Sequence, residues 1–67
     1  MYTMEIWHGM RCDTKTYYDY DSVLGAFVKH ATAKDCDKCL VTYEYQRGVY
    51  TVVRQKETVL EYRKEIL

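Results

Sequence analysis

The chain of 67 residues has no proline, three glycines, one tryptophan and one phenylalanine, and its ten basic and ten acidic residues cancel. Without Pro-rich or Gly-rich stretches there is no linker to divide it and no Gly-rich loop to cradle a phosphate. The absent net charge removes the basic excess that marks a duplex-binding protein, and it equally excludes an acidic mimic of DNA. No run of 18 apolar residues occurs, so no membrane-spanning helix is expected. The segment Met1 to Ile6 lacks the basic and apolar regions of a secretory signal. Three cysteines, an odd number, do not make a disulfide framework, and a reduced, cytoplasmic setting is expected. The start at Met1, with no linker or tag, points to a complete, very short gene product.

What the chain does have is tyrosine, eight residues of it, with 48% hydrophobic and 30% charged residues overall. That composition is globular, and the length allows one small domain. A core of this size supplies only ~3–5 kcal/mol, so a staple, a metal or a second subunit is common at such lengths. Near-zero charge also lowers the barrier to self-association, and a homodimer through an uncapped strand edge is expected on that ground.

Tyr2, Met4, Ile6 and His8 alternate with Thr3, Glu5 and Trp7, which predicts a half-buried strand over Tyr2–His8. Gly9 to Thr16 reads as a loop. Leu24, Phe27, Val28 and Ala31 recur at helical spacing and predict an amphipathic helix capped by Asp21 or Ser22. Gly25 weakens that helix and is expected to let its backbone approach the sheet. Thr32 to Lys38 carries no apolar period and serves as a connection.

Cys39 to Arg54 reads as a hairpin closed at Arg47-Gly48, in which Tyr45 faces Tyr50, Tyr43 faces Val52 and Val41 faces Arg54. Val41, Tyr43, Tyr45, Tyr50 and Val52 then share one face, and the helix is expected to cover it. Residues 58–67 fit a capping-box helix starting at Thr58, but Leu60 and Tyr62 alternate with Glu61 and Arg63. That alternation matches the hairpin faces, so a fourth strand is preferred. Gln55-Lys56-Glu57 is its connection. The predicted fold is α+β: a β-α-β-β core with a fourth strand, one helix lying across an antiparallel sheet.

Few residues stand in a pattern that carries chemistry. Cys36 and Cys39 have knuckle spacing, and with Cys12 and His30 or His8 they could build a Cys₃His zinc site. A structural site normally shows two such pairs and this chain has one, so no cofactor is expected and plain reduced thiols are preferred. His30, near the helix end, is explained by the helix dipole. His8 is explained as a polar end to the core. Asp19/Asp21 and Asp35/Asp37 lack calcium-loop spacing. No nucleophile arrangement or zinc-protease motif is present, and a single thin layer lacks the walls of a catalytic pocket, so an enzyme is not expected.

Binding remains. Trp7 falls on the outward set of its strand, and Tyr17, Tyr18 and Tyr20 lie among aspartates that would repel a phosphate backbone. Together with Arg47 at the hairpin tip they are the predicted contacts, because Trp, Tyr and Arg dominate binding hot spots. The expected function is a non-enzymatic protein that occludes a surface of a larger host protein, in the manner of phage or mobile-element accessory proteins that inhibit defence or nucleic-acid enzymes. Single-stranded nucleic-acid binding on Tyr43, Tyr45, Tyr50 and Arg47 ranks second, since the helix would cover those rings.

Overall fold

A computed structural model describes residues 1–48, 50 and 53–65, with the side chains of Arg47 and Val53 outside the description. It shows the expected α+β architecture, a four-stranded antiparallel sheet with one helix against it. Chain order is β1 (Tyr2–His8), β2 (Arg11–Tyr17), α1 (Tyr20–Ala31), β3 (Lys38–Arg47) and β4 (Val53–Arg63), and the spatial order is β2-β1-β3-β4.

The element order differs from the expected one in two respects: the predicted loop after β1 is itself a strand, and the second hairpin strand and the expected fourth strand are one continuous β4. Gly9, at φ 63°, and Met10 close a two-residue hairpin in which His8 faces Arg11. A glycine with positive φ at the first central position is the signature of a type II′ turn, whose twist suits flanking strands. β2 shows no apolar alternation because it lies at the sheet edge; Thr14 and Thr16 supply β-propensity instead.

Met4 and Ile6 of β1 face Val41 and Cys39 of β3, and these four side chains are at most 2% exposed. Val23 and Ala31 of α1 and Cys36 of the connection complete the buried core. The helix begins earlier than expected. Asp19 is its N-cap, with a carboxylate that accepts from the Ser22 backbone N–H at 2.7 Å and the Ser22 hydroxyl at 2.8 Å. Its buried stripe is also rotated: Val23, Ala26, Phe27 and Ala31 face the sheet, while Val28 is 54% exposed. The small side chains of Ala26 and Ala31 bring the helix close, so the expected role of Gly25 lapses; a Cβ there would meet nothing within 4 Å.

The β3–β4 pairing corrects the expected hairpin register. Tyr45 faces Gln55, Tyr43 faces Glu57, Val41 faces Leu60 and Arg47 faces Val53, so residues 48–52 connect the strands. Tyr50 in that connection is fully exposed rather than part of a core face. Val52, with Val49 and Thr51, lies outside the described residues. Gln55, Lys56 and Glu57 belong to β4 itself. The reason is a β-bulge: Val41 pairs with Leu60 but Thr42 pairs with Thr58, so Val59 is an extra residue. The bulge reverses the parity of the strand, and two runs of opposite phase look like two strands. Beyond it, Leu60 and Tyr62 pack against the core as expected, and residues 58–63 are strand rather than helix. Ile66 and Leu67 lie outside the described residues.

β1 pairs with β3 only as far as Tyr2 opposite Tyr43, yet β3 continues to Arg47. The two later strands therefore project as an arm. The radius of gyration, 13.6 Å, exceeds the roughly 11 Å of a compact chain this long, and the longest dimension reaches 48 Å.

Candidate protein-binding surface

The arm carries tyrosine rings in a row. Tyr20, in the first turn of α1, lies 6.0 Å from Tyr2 between ring centroids. Tyr2 lies 4.8 Å from Tyr43, and Tyr43 lies 6.3 Å from Tyr45 with planes 17° apart. Strand periodicity explains the row: Tyr2, Tyr43 and Tyr45 project from the helix-bearing face of the sheet, and Tyr17 pairs with Tyr2 on the same face. The helix packs over Met4, Ile6, Cys39 and Val41 and stops short of Tyr43 and Tyr45. Tyr43 and Tyr45 are thus half-buried beside the helix, not sealed beneath it. Tyr20 is 43% exposed, and neighbouring Tyr18 is 89% exposed.

The Tyr45 hydroxyl donates to Gln55 Oε1 at 2.9 Å, which holds the outermost ring of the row in place. Beyond Met1 the row opens into a hollow of about 490 Å³ lined by Met1, Tyr43, Glu44, Tyr45, Gln46 and Arg54. Arg54 lies 3.7 Å from Glu44, a partly solvent-exposed ion pair at the rim of this hollow. Asp19 holds its carboxyl below the usual carboxylate range through the bonds from Ser22, and it remains a fixed anion at the base of the row.

The predicted contact residues therefore divide. Tyr17 and Tyr20 join the hairpin tyrosines through Tyr2, the first by strand pairing and the second by ring contact, and exposed Tyr18 lies between them in the chain. The backbone of Arg47 ends the same arm. Trp7 does not belong to this surface. It projects from the opposite face, near the other end of β1, against Cys12 and Lys38. Its indole Nε1 is shielded from solvent and has no hydrogen-bond partner among the described residues, and Lys38 Nζ sits 6.0 Å from its ring.

The zinc candidates are likewise separated. Cys36 and Cys39 lie in the core, whereas Cys12 is on the outer face. No three His, Cys, Asp or Glu side chains are placed to hold a metal among the described residues. Burial raises both core thiols, that of Cys39 to about 11. His30 is shifted downward, by burial first and then by Lys15 and Lys29, so the cationic helix-end role expected for it is not favoured. His8 does end the core as a bonded polar group, with Nδ1 3.0 Å from the Asp35 carbonyl.

No helix among the described residues is long and apolar enough to cross a membrane. No protein-family model, curated protein or solved structure matches this chain.

Proposed function

We propose that this chain is a non-enzymatic binding protein that seats its tyrosine row and projecting arm on a larger protein and acts by covering that surface. The observation that carries the proposal is the uninterrupted run Tyr20, Tyr2, Tyr43 and Tyr45, half-exposed beside the helix. Rings held by neighbours lose little freedom on docking, and each offers an apolar face with a polar tip. An inhibitor of a host enzyme, as in mobile-element accessory proteins, remains the expected setting.

Capture from a bacterial lysate with the wild-type chain and the Tyr18→Ala/Tyr45→Ala variant, read by mass spectrometry, tests this. The wild type should retain a partner that the variant loses. Identical recovery by both, or recovery by neither, refutes the tyrosine surface.

One observation favours a second use. Because the helix leaves Tyr43 and Tyr45 uncovered, bases could stack on them. Glu57, opposite Tyr43 on the face of the rings, and Asp19 at the base of the row oppose a phosphate backbone and put this second. Binding of mixed single-stranded oligonucleotides that weakens steeply with salt would reverse the order.

A further inference from the structure

The free edge of β2 is self-complementary, and we propose that it pairs with β2 of a second copy, antiparallel and centred on Thr14, to form a continuous eight-stranded sheet. This inference is independent of the tyrosine surface.

Backbone parity decides which groups are available. In a two-residue hairpin the flanking pair, here His8 and Arg11, exchanges both backbone hydrogen bonds, and such pairs recur at every second residue. Arg11, Asp13, Lys15 and Tyr17 thus point their N–H and C=O groups towards β1. Cys12, Thr14 and Thr16 point theirs at the open edge. The bond from Glu44 N–H to the Met1 carbonyl confirms this phase independently, since it shows the odd residues of β1 turned towards β3.

An antiparallel pair of identical edges can meet only where outward-pointing groups face each other, which restricts the centre of symmetry to a residue of the strand. Centred on Asp13, the register opposes two aspartates and sets Arg11 against Lys15. Centred on Lys15, it opposes two lysines. Centred on Thr14, it sets Asp13 of each copy against Lys15 of the other, twice, and Arg11 against Tyr17, twice. Thr14 pairs with itself and Cys12 with Thr16, all hydrogen-bonded. Of the three registers that use most of the strand, this one alone opposes unlike charges. The Asp13–Lys15 pairs fall at non-hydrogen-bonded positions, where side chains approach most closely.

The monomer leaves these groups accessible. Asp13, Thr14, Lys15 and Thr16 are all exposed, and Lys15 has no ion-pair partner among the described residues. Asp13 has Arg11 Nη2 at 3.6 Å and His8 Nε2 at 3.8 Å, both on its own chain. The β1–β2 ladder is regular over all seven pairs. The opposite edge, β4, is broken by its bulge, a device that discourages edge pairing.

Sedimentation equilibrium over a wide concentration range tests the proposal, with circular dichroism confirming that each variant is folded. The wild type should pass from 8.1 kDa to twice that mass. Lys15→Glu should weaken dimerisation by on the order of ten-fold or more, because two attractive pairs become repulsive. The exchange Asp13→Lys/Lys15→Asp should restore it. In a Cys12→Ser background, Thr14→Cys should oxidise to a covalent dimer, since a hydrogen-bonded pair holds its Cα atoms about 5.5 Å apart, within disulfide reach. Thr58→Cys in the same background should not. A wild type that stays monomeric throughout, a dimer indifferent to Lys15→Glu, or equal cross-linking at Thr58 overturns the proposal.

Discussion

At one end of the sheet Asp37 gathers three segments. Its N–H donates to the Trp7 carbonyl at 2.8 Å, its carboxylate accepts from Gly9 N–H at 2.5 Å, and its carbonyl accepts from Lys64 N–H at 2.9 Å. At the other end β3 and β4 run on past β1, covered on the helix-bearing face by tyrosine rings instead of the helix. The first end is closed by directional hydrogen bonds, two between backbone groups and one to the Asp37 carboxylate, whose energy depends on geometry and little on who else is present. The second is held by contacts among aromatic rings that remain partly exposed. One end completes the fold, and the other is the surface that the proposed function assigns to a partner.

Four changes probe this contrast, beginning with one that should erase it. Met4→Ala empties a fully buried site between the two ends, at a cost of about 2–5 kcal/mol. That equals the ~3–5 kcal/mol a core of this size supplies, so both ends should be lost together in far-UV circular dichroism. Survival of the helix signal would show that the ends fold separately. Tyr43→Ala removes the middle of the row and the contacts to Tyr2 and Tyr45, costing about 0.5–1.5 kcal/mol for the ring pairs beyond the lost area. Hydrogen exchange should then accelerate at Tyr45 and Gln55 and remain slow at Asp37; acceleration at both ends would abolish the distinction.

Acid sharpens the comparison. Asp19 has its folded pKa depressed below the ordinary 3.8, so its contribution is fully present above that value and is lost as pH falls through the folded pKa. The midpoint of thermal unfolding should drop at acidic pH in the wild type and drop less in Asp19→Asn. Equal profiles would show that the cap does not hold the helix start from which Tyr20 reaches the row. The smallest effect is kinetic. Iodoacetamide should modify half-buried Cys12 well before Cys36 and Cys39, whose burial and raised pKa keep them as thiols. Equal rates at all three would show that the core opens as readily as the surface.

The fold was legible in this sequence wherever one face of an element is apolar. β1 and the first half of β3 alternate cleanly, and Phe27 and Ala31 mark the helix. β2 was hidden because both its faces are polar at an edge, although Gly9-Met10 carried a usable turn signal. β4 was read as two pieces because Val59 inverts its phase. The placement of the candidate residues was less legible than the fold. Composition singles out Tyr17, Tyr18 and Tyr20 as candidate contacts and puts Tyr43 and Tyr45 under the helix, yet the register that brings Tyr2, Tyr20, Tyr43 and Tyr45 into one row depends on long-range pairing that local periodicity does not encode. Trp7 shows the converse: its face was correctly read, but nothing local revealed that it lies away from the other candidates.

The inserted Val59 bears on valence as well as on register. A small sheet with two regular free edges is a bifunctional monomer, able to add a copy at each side and grow into an open ribbon. With one edge interrupted, the β2 pairing proposed above would terminate growth after a single addition and give a finite product. Deletion of Val59 would leave the Val41–Leu60 and Thr42–Thr58 pairs in place and make the ladder continuous. Light scattering should then report species that lengthen with concentration, a change from dimer to polymer caused by removing one exposed residue.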